Sequence, residues 1–120
     1  ASPFIDHNTI RDNGATGVYA IARSASQPVI ISRNTVQGNS ASGDGGGIYA
    51  SGKTAAIVTQ NVFCRNEGCG MSCWFENRDR IAENTFASNL DSALTVIGAS
   101  QPIVERNIFF NHPRDHGALA

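Results

Sequence analysis

Several things are scarce in this 120-residue chain, and each scarcity removes a class of protein. Lysine occurs once, at Lys53, and the eight arginines are scattered through a chain of formal net charge −1. Phosphate affinity comes from clustered Lys and Arg, so nucleic acid is not an expected partner. No apolar run approaches the ~20 residues of a membrane helix, so no membrane span is expected. The ten acidic residues stand singly among arginines and amides. Calcium takes several clustered carboxylates, so no metal site or cofactor is expected. Leucine is sparse, which argues against a leucine-rich repeat.

Asparagine and glycine, by contrast, are abundant, at eleven and twelve. Both disfavour helix interiors, so the chain reads as one domain of many short strands and tight turns. Alignment on Asn8, Asn34, Asn61, Asn84 and Asn107 exposes a repeat with spacings of 26, 27, 23 and 23 residues. Three positions before each anchor stands a β-branched aliphatic: Ile5, Ile31, Val58, Ile81, Val104. Two positions after it stands Ile10, Val36, Phe63, Phe86 or Phe109, and five positions after it a second asparagine: Asn13, Asn39, Asn66, Asn89. The fifth copy departs from the rule, with Asn111 one residue early and His112 in the slot.

A third segment follows in each copy, opened by a small residue: Gly17-Val18-Tyr19-Ala20, Gly47-Ile48-Tyr49-Ala50, Gly70-Met71-Ser72-Cys73, Ala93-Leu94-Thr95-Val96 and Gly117-Ala118-Leu119-Ala120. One copy cannot bury its own apolar residues, but stacked copies line them into a continuous interior. The expected fold is all-β: a right-handed, single-chain parallel β-helix of about five coils with three short strands each. Its coils fall at approximately 3–26, 27–54, 55–77, 78–100 and 101–120, within a single domain 1–120. The asparagines are expected at its corners, where Asn tolerates left-handed backbone and its amide can bond the amide of the next turn. Asn77 alone falls outside the pattern.

The chain resembles the parallel β-helix repeat family that includes pectate-lyase-like and NosD-like proteins, through Pro-x-Ile-x-x-x-Asn-x-Val-x-x-Asn from Pro28 to Asn39. More locally, Gly45-Gly46-Gly47-Ile48-Tyr49 with Phe63-x-x-Asn66 and Phe86-x-x-Asn89 is similar to repeats of polymorphic outer-membrane adhesins. The resemblance implies the fold. It also implies an exported bacterial protein, periplasmic or extracellular. It does not fix the activity, because this architecture carries lyases, hydrolases, epimerases and adhesins alike.

For a ligand, the outward column just before each anchor offers His7, Arg33, Gln60, Glu83 and Arg106, beside Asp6, Ser32, Thr59, Ala82 and Glu105. Its mixed charge suits sugar hydroxyls and a uronate carboxylate, and equally suits cross-strand ion pairs on a solvated face. Asp6-His7 and Asp115-His116 pair an acid with an imidazole, but adjacent strand residues should point to opposite faces. His112-Pro113-Arg114-Asp115-His116 only scrambles the Asp-Pro-His signature expected of a uronate epimerase. Gly43-Asp44-Gly45-Gly46-Gly47 reads as a turn insertion rather than a phosphate loop. No catalytic residue is assigned.

Cys73 is expected in the core, while Cys64 and Cys69 are expected to point outward, as a disulfide or as two thiols. One position further out, Phe4, Ile30, Ile57 and Ile103, interrupted by Arg80, form an apolar stripe that suits an interface. The strand edges at the two ends carry no evident cap, which suggests end-to-end association or a longer parent chain. Three functions remain open: a non-catalytic module binding carbohydrate or another surface partner, a polysaccharide lyase or epimerase fragment, and a self-assembling structural or adhesin-like repeat. An enzyme would lose turnover on substitution of Arg33, Glu83 or Arg106.

Overall fold

The computed structural model describes residues 3–22, 28–40 and 45–111. Its first turn comprises β1 (Phe4–Asp6), β2 (Thr9–Arg11) and β3 (Val18–Ala22). The second comprises β4 (Ile30–Ser32), β5 (Thr35–Gln37) and β6 (Gly46–Gly52), and the third β7 (Ile57–Thr59), β8 (Val62–Cys64) and β9 (Cys69–Trp74). The fourth comprises β10 (Arg80–Ala82), β11 (Thr85–Ala87) and β12 (Leu94–Ile97), followed by β13 (Ile103–Glu105) and β14 (Ile108–Phe110). The strands assemble into three parallel sheets, β1-β4-β7-β10-β13, β2-β5-β8-β11-β14 and β3-β6-β9-β12. The expected third strand of the fifth copy, Gly117 to Ala120, lies outside the described residues, as does the whole 112–116 segment with its Asp115-His116 pair.

Pairing in register puts like on like. In the first sheet Ile5, Ile31, Val58, Ile81 and Val104 lie side by side, and in the second Ile10, Val36, Phe63, Phe86 and Phe109. The middle members of both columns are fully buried. Each such side chain contributes about 1.5–3 kcal/mol by leaving water. Phe63 and Phe86 stack at 4.7 Å between centroids, and Phe86 and Phe109 at 5.2 Å. Room for these rings comes from the small residue that opens each third strand. A Cβ on Gly70 would sit 2.6 Å from the Ala93 carbonyl oxygen and 2.7 Å from Phe86 Cδ1.

Two of the corners share one construction: a residue in left-handed backbone followed by an asparagine. His7, Arg33, Gln60, Glu83 and Arg106 occupy the first corner at φ between 52° and 59°. Asp12, Gly38, Arg65, Ser88 and Asn111 occupy the second, although Asn111 is followed in sequence by His112 rather than by an asparagine. The asparagines then tie the turns together. Asn34 donates its backbone N–H (2.9 Å) and its Nδ2 (3.1 Å) to Asn61 Oδ1, and Nδ2 also donates to the Ile5 carbonyl at 2.9 Å. Asn61 repeats the pattern toward Asn84 and Ile31, and Asn84 toward Asn107 and Val58. Asn8 starts this ladder by donating to Asn34 Oδ1. The second ladder runs Asn13, Asn39, Asn66, Asn89 with the same double donation. Each interior amide thus bridges three turns with every polar atom satisfied, which a buried amide requires.

Removing an interior rung orphans its neighbours, whereas removing a terminal rung orphans little. Asn61→Ala leaves the Asn34 N–H buried without a partner and removes one of the bonds to the buried Ile31 carbonyl. It is expected to cost about 3 kcal/mol in urea unfolding, against about 1 kcal/mol or less for the exposed Asn8→Ala. Equal losses at the two positions would show that the ladder carries no such energy.

Candidate functional site

The polar column lies at a bend rather than within a strand. His7, Arg33, Gln60, Glu83 and Arg106 are all exposed, each one residue past the end of its first-sheet strand. This placement alters the Asp6-His7 geometry. The two were expected on opposite faces, but strand β1 ends at Asp6, and the left-handed turn at His7 brings the ring to the same side. His7 Nδ1 lies 3.0 Å from Asp6 Oδ2. Asp6 also accepts from Arg33 Nε and Nη2 and from Ser32 Oγ. The Arg33 guanidinium, aided by Ser32 and His7, holds the Asp6 carboxyl well below the usual carboxylate range, and Asp6 in turn raises Arg33.

Further along the column the charges are paired as well. Arg106 lies 3.9 Å from Glu83 and 3.7 Å from Glu105, and Arg80 lies 3.1 Å from Glu105. The arginines here are therefore bound to carboxylates already, and a uronate would compete with those pairs. No group of three or more His, Cys, Asp or Glu converges to hold a metal ion among the described residues. The apolar stripe is in register, Phe4 beside Ile30, Ile57, Arg80 and Ile103, with Phe4 and Ile103 each 60% exposed at its ends.

A different surface stands out on the third sheet. Alternation turns Val18, Ala20, Ile48, Ala50, Met71, Cys73, Leu94 and Val96 inward, and leaves Tyr19, Ile21, Tyr49, Ser51, Ser72, Trp74, Thr95 and Ile97 on the outer side, where Ser51, Ser72 and Thr95 are nevertheless buried. None of those outer positions carries a formal charge. Tyr19 and Tyr49 stack with centroids 4.9 Å apart and planes 6° from parallel. Trp74 follows at 6.2 Å from Tyr49, and Phe75 lies 5.8 Å from Trp74 at an angle of 54°. Tyr19, Ile21 and Phe75 are all more than half exposed. Trp74 Nε1 is shielded yet has no hydrogen-bond partner among the described residues. An apolar hollow of about 340 Å³ adjoins Tyr19 and Ile21, lined also by Ile5, Val18 and Val29. It continues the interior of the first turn rather than forming a separate site.

The sequence signal for the aromatic face is tyrosine at the same place in two successive copies, followed by Trp74-Phe75 in the third. That regularity reads first as part of the alternating strand. The outer neighbour of Trp74 is Ser51, a pairing set by strand register.

The third corner hides a buried acid. Asp79 is wholly buried and accepts from the Ala56 N–H at 2.6 Å and from Asn77 Nδ2 at 2.8 Å, while Asn77 Nδ2 also donates to Thr54 Oγ1 at 2.6 Å. Asn77, outside the ladder, therefore joins a separate polar cluster. Burial raises the Asp79 carboxyl above its ordinary value against the pull of those bonds, and burial with the nearby Asp79 charge raises the Cys73 thiol. Cys73 sits in the core as expected. Cys69, expected outward, is instead buried at 3% exposure, with Sγ 3.1 Å from Thr95 Oγ1, because its place at the head of β9 packs it between turns. Cys64 is half-buried, with Sγ 3.5 Å from Gln37 Oε1. All three are free thiols.

A family model described as a right handed beta helix region matches residues 1–116. No curated protein and no solved structure matches the chain. No helix among the described residues is long and apolar enough to cross a membrane.

The two perturbed acids act on stability in opposite directions. Asp6, lowered in the fold, contributes stability that is present above its unfolded value near ~3.9 and is lost as pH falls. Asp79, raised in the fold, favours folding fully only below that value, and its contribution is lost as pH rises toward its folded pKa. In urea titrations between about pH 2 and about pH 8, Asp79→Asn should flatten the decline above about pH 4, and Arg33→Ala should flatten the rise below it. An unchanged profile in both variants would contradict these assignments.

Proposed function

The chain belongs to the right-handed beta helix family, and on that scaffold we propose that it is a non-catalytic binding module holding a neutral carbohydrate against the outer face of its third sheet. The observation that carries this reading is the contiguous, charge-free aromatic surface of Tyr19, Tyr49, Trp74 and Phe75. A pyranose ring presents C–H groups on its faces and hydroxyls on its rim. Aromatic side chains with polar tips meet both demands, supplying apolar area beside hydrogen-bonding groups. The Tyr19 and Tyr49 hydroxyls supply such groups. Absence of charge on this face favours a neutral sugar over a uronate.

The corner of His7, Arg33, Gln60, Glu83 and Arg106 is the alternative ligand surface, and it would serve an acidic polysaccharide, as a lyase- or epimerase-type fragment requires. Its ion pairs weigh against that use, since a general base or anion clamp needs a group not already committed. A second reading, self-assembly through Phe4, Ile30, Ile57 and Ile103, draws support from the unbroken register of that stripe on both sides of Arg80.

Trp74 is the chain's one tryptophan, so its fluorescence reports directly on the aromatic face. Titration with neutral oligosaccharides is expected to change that emission saturably. Tyr49→Ala should weaken binding roughly tenfold, while the double variant Arg33→Ala, Arg106→Ala should leave it within about twofold. Binding confined to uronate polymers and lost in the arginine variant would move the site to the corner. If assembly is the function, mass in solution should rise with concentration and fall on Ile57→Lys; a wild-type mass independent of concentration excludes it.

A further inference from the structure

We propose that Phe75 is a ligand-contact residue retained at a backbone position better suited to glycine, an inference that rests on the carbohydrate-binding reading and identifies the residue that completes its site. The corner leaving the third sheet uses left-handed backbone in three successive turns. Ser51, Trp74 and Ile97 pair directly, so the residues after them, Gly52, Phe75 and Gly98, form one column at φ 80°, 65° and 76°. Glycine adopts this conformation freely, whereas a bulky side chain there is a true outlier. Backbone strain of this kind persists where the surroundings impose it and concentrates at ligand-binding positions.

Burial repays this side chain little. Phe75 is 56% exposed, and among the described residues its ring contact is the tilted one with Trp74, itself part of the aromatic face. The backbone bonds at this position are independent of the side chain: Phe75 N–H donates to the Ile97 carbonyl at 3.1 Å, and its carbonyl accepts from Ser100 Oγ at 2.6 Å. Glycine would keep both. The comparison with the other left-handed corners is equally direct. Every other non-glycine residue with positive φ among those described is polar or charged: His7, Asp12, Arg33, Gln60, Arg65, Glu83, Ser88, Arg106 and Asn111. Phe75 alone presents an apolar ring to solvent from such a position. It stands where the ring adds a second aromatic surface, inclined at 54° to Trp74, for a sugar ring to rest against.

Thermal unfolding and calorimetric titration with a neutral oligosaccharide, applied to wild type, Phe75→Gly and Phe75→Tyr, test this together. Phe75→Gly is expected to unfold at or above the wild-type temperature while losing affinity at least fivefold. Phe75→Tyr should keep wild-type affinity to within about twofold, since it retains the aromatic face. A lowered unfolding temperature in Phe75→Gly would make Phe75 a structural residue and overturn the inference. Unchanged affinity in Phe75→Gly would also overturn it, while leaving the carbohydrate-binding reading intact. Failure of the wild type to bind any neutral oligosaccharide would defeat that reading first, and this inference with it.

Discussion

An asparagine amide placed just after a left-handed residue is the interaction on which the rest of this structure depends. The left-handed residue turns the chain through a corner, and such a turn leaves backbone groups pointing inward with no strand to meet them. At Asn61 the side chain supplies what is missing, donating to the Ile31 carbonyl below and to Asn84 Oδ1 above, while its own Oδ1 accepts twice from Asn34. One residue type therefore satisfies the corner and fixes the stacking register together. Because a register slip would break every rung, the ladders also align the apolar columns that form the core.

With register fixed, the outer faces acquire distinct chemistry from the same repeat. The first corner collects side chains that tolerate left-handed backbone and water, and these settle into ion pairs such as Arg33 with Asp6. The first sheet carries an apolar stripe, and the third sheet carries aromatic rings without charge. Stacking is what turns isolated residues into surfaces: Tyr19 and Tyr49 are thirty positions apart in sequence and 4.9 Å apart as rings. A β-helix presents such columns at a constant spacing of about 4.8 Å, and a rigid, extended surface loses little entropy when a chain-like ligand settles along it.

Much of this was legible in the sequence because it repeats. The inward columns through Ile31 and Phe63, the two amide ladders and the core placement of Cys73 all follow from position within the copy. What escaped depends on single turns. His7 reads as a strand residue until its φ of 57° is known, and only then does its contact with Asp6 make sense. Cys69 and Asp79 are buried by what lies above and below them, which no single copy records. The aromatic face escaped for a related reason: Tyr49 and Trp74 occupy different positions in their copies and meet only through their offset across the paired strands.

Native-state hydrogen exchange measures the ladder directly, residue by residue. If the amide rungs hold the turns in register, the backbone N–H groups of Asn34, Asn61 and Asn84, each bonded to a side-chain oxygen of the next turn, should be among the slowest to exchange, opening only with global unfolding. Exchange at those three positions at the rate of an unprotected amide would show that the turns separate without breaking the fold, and would contradict the account.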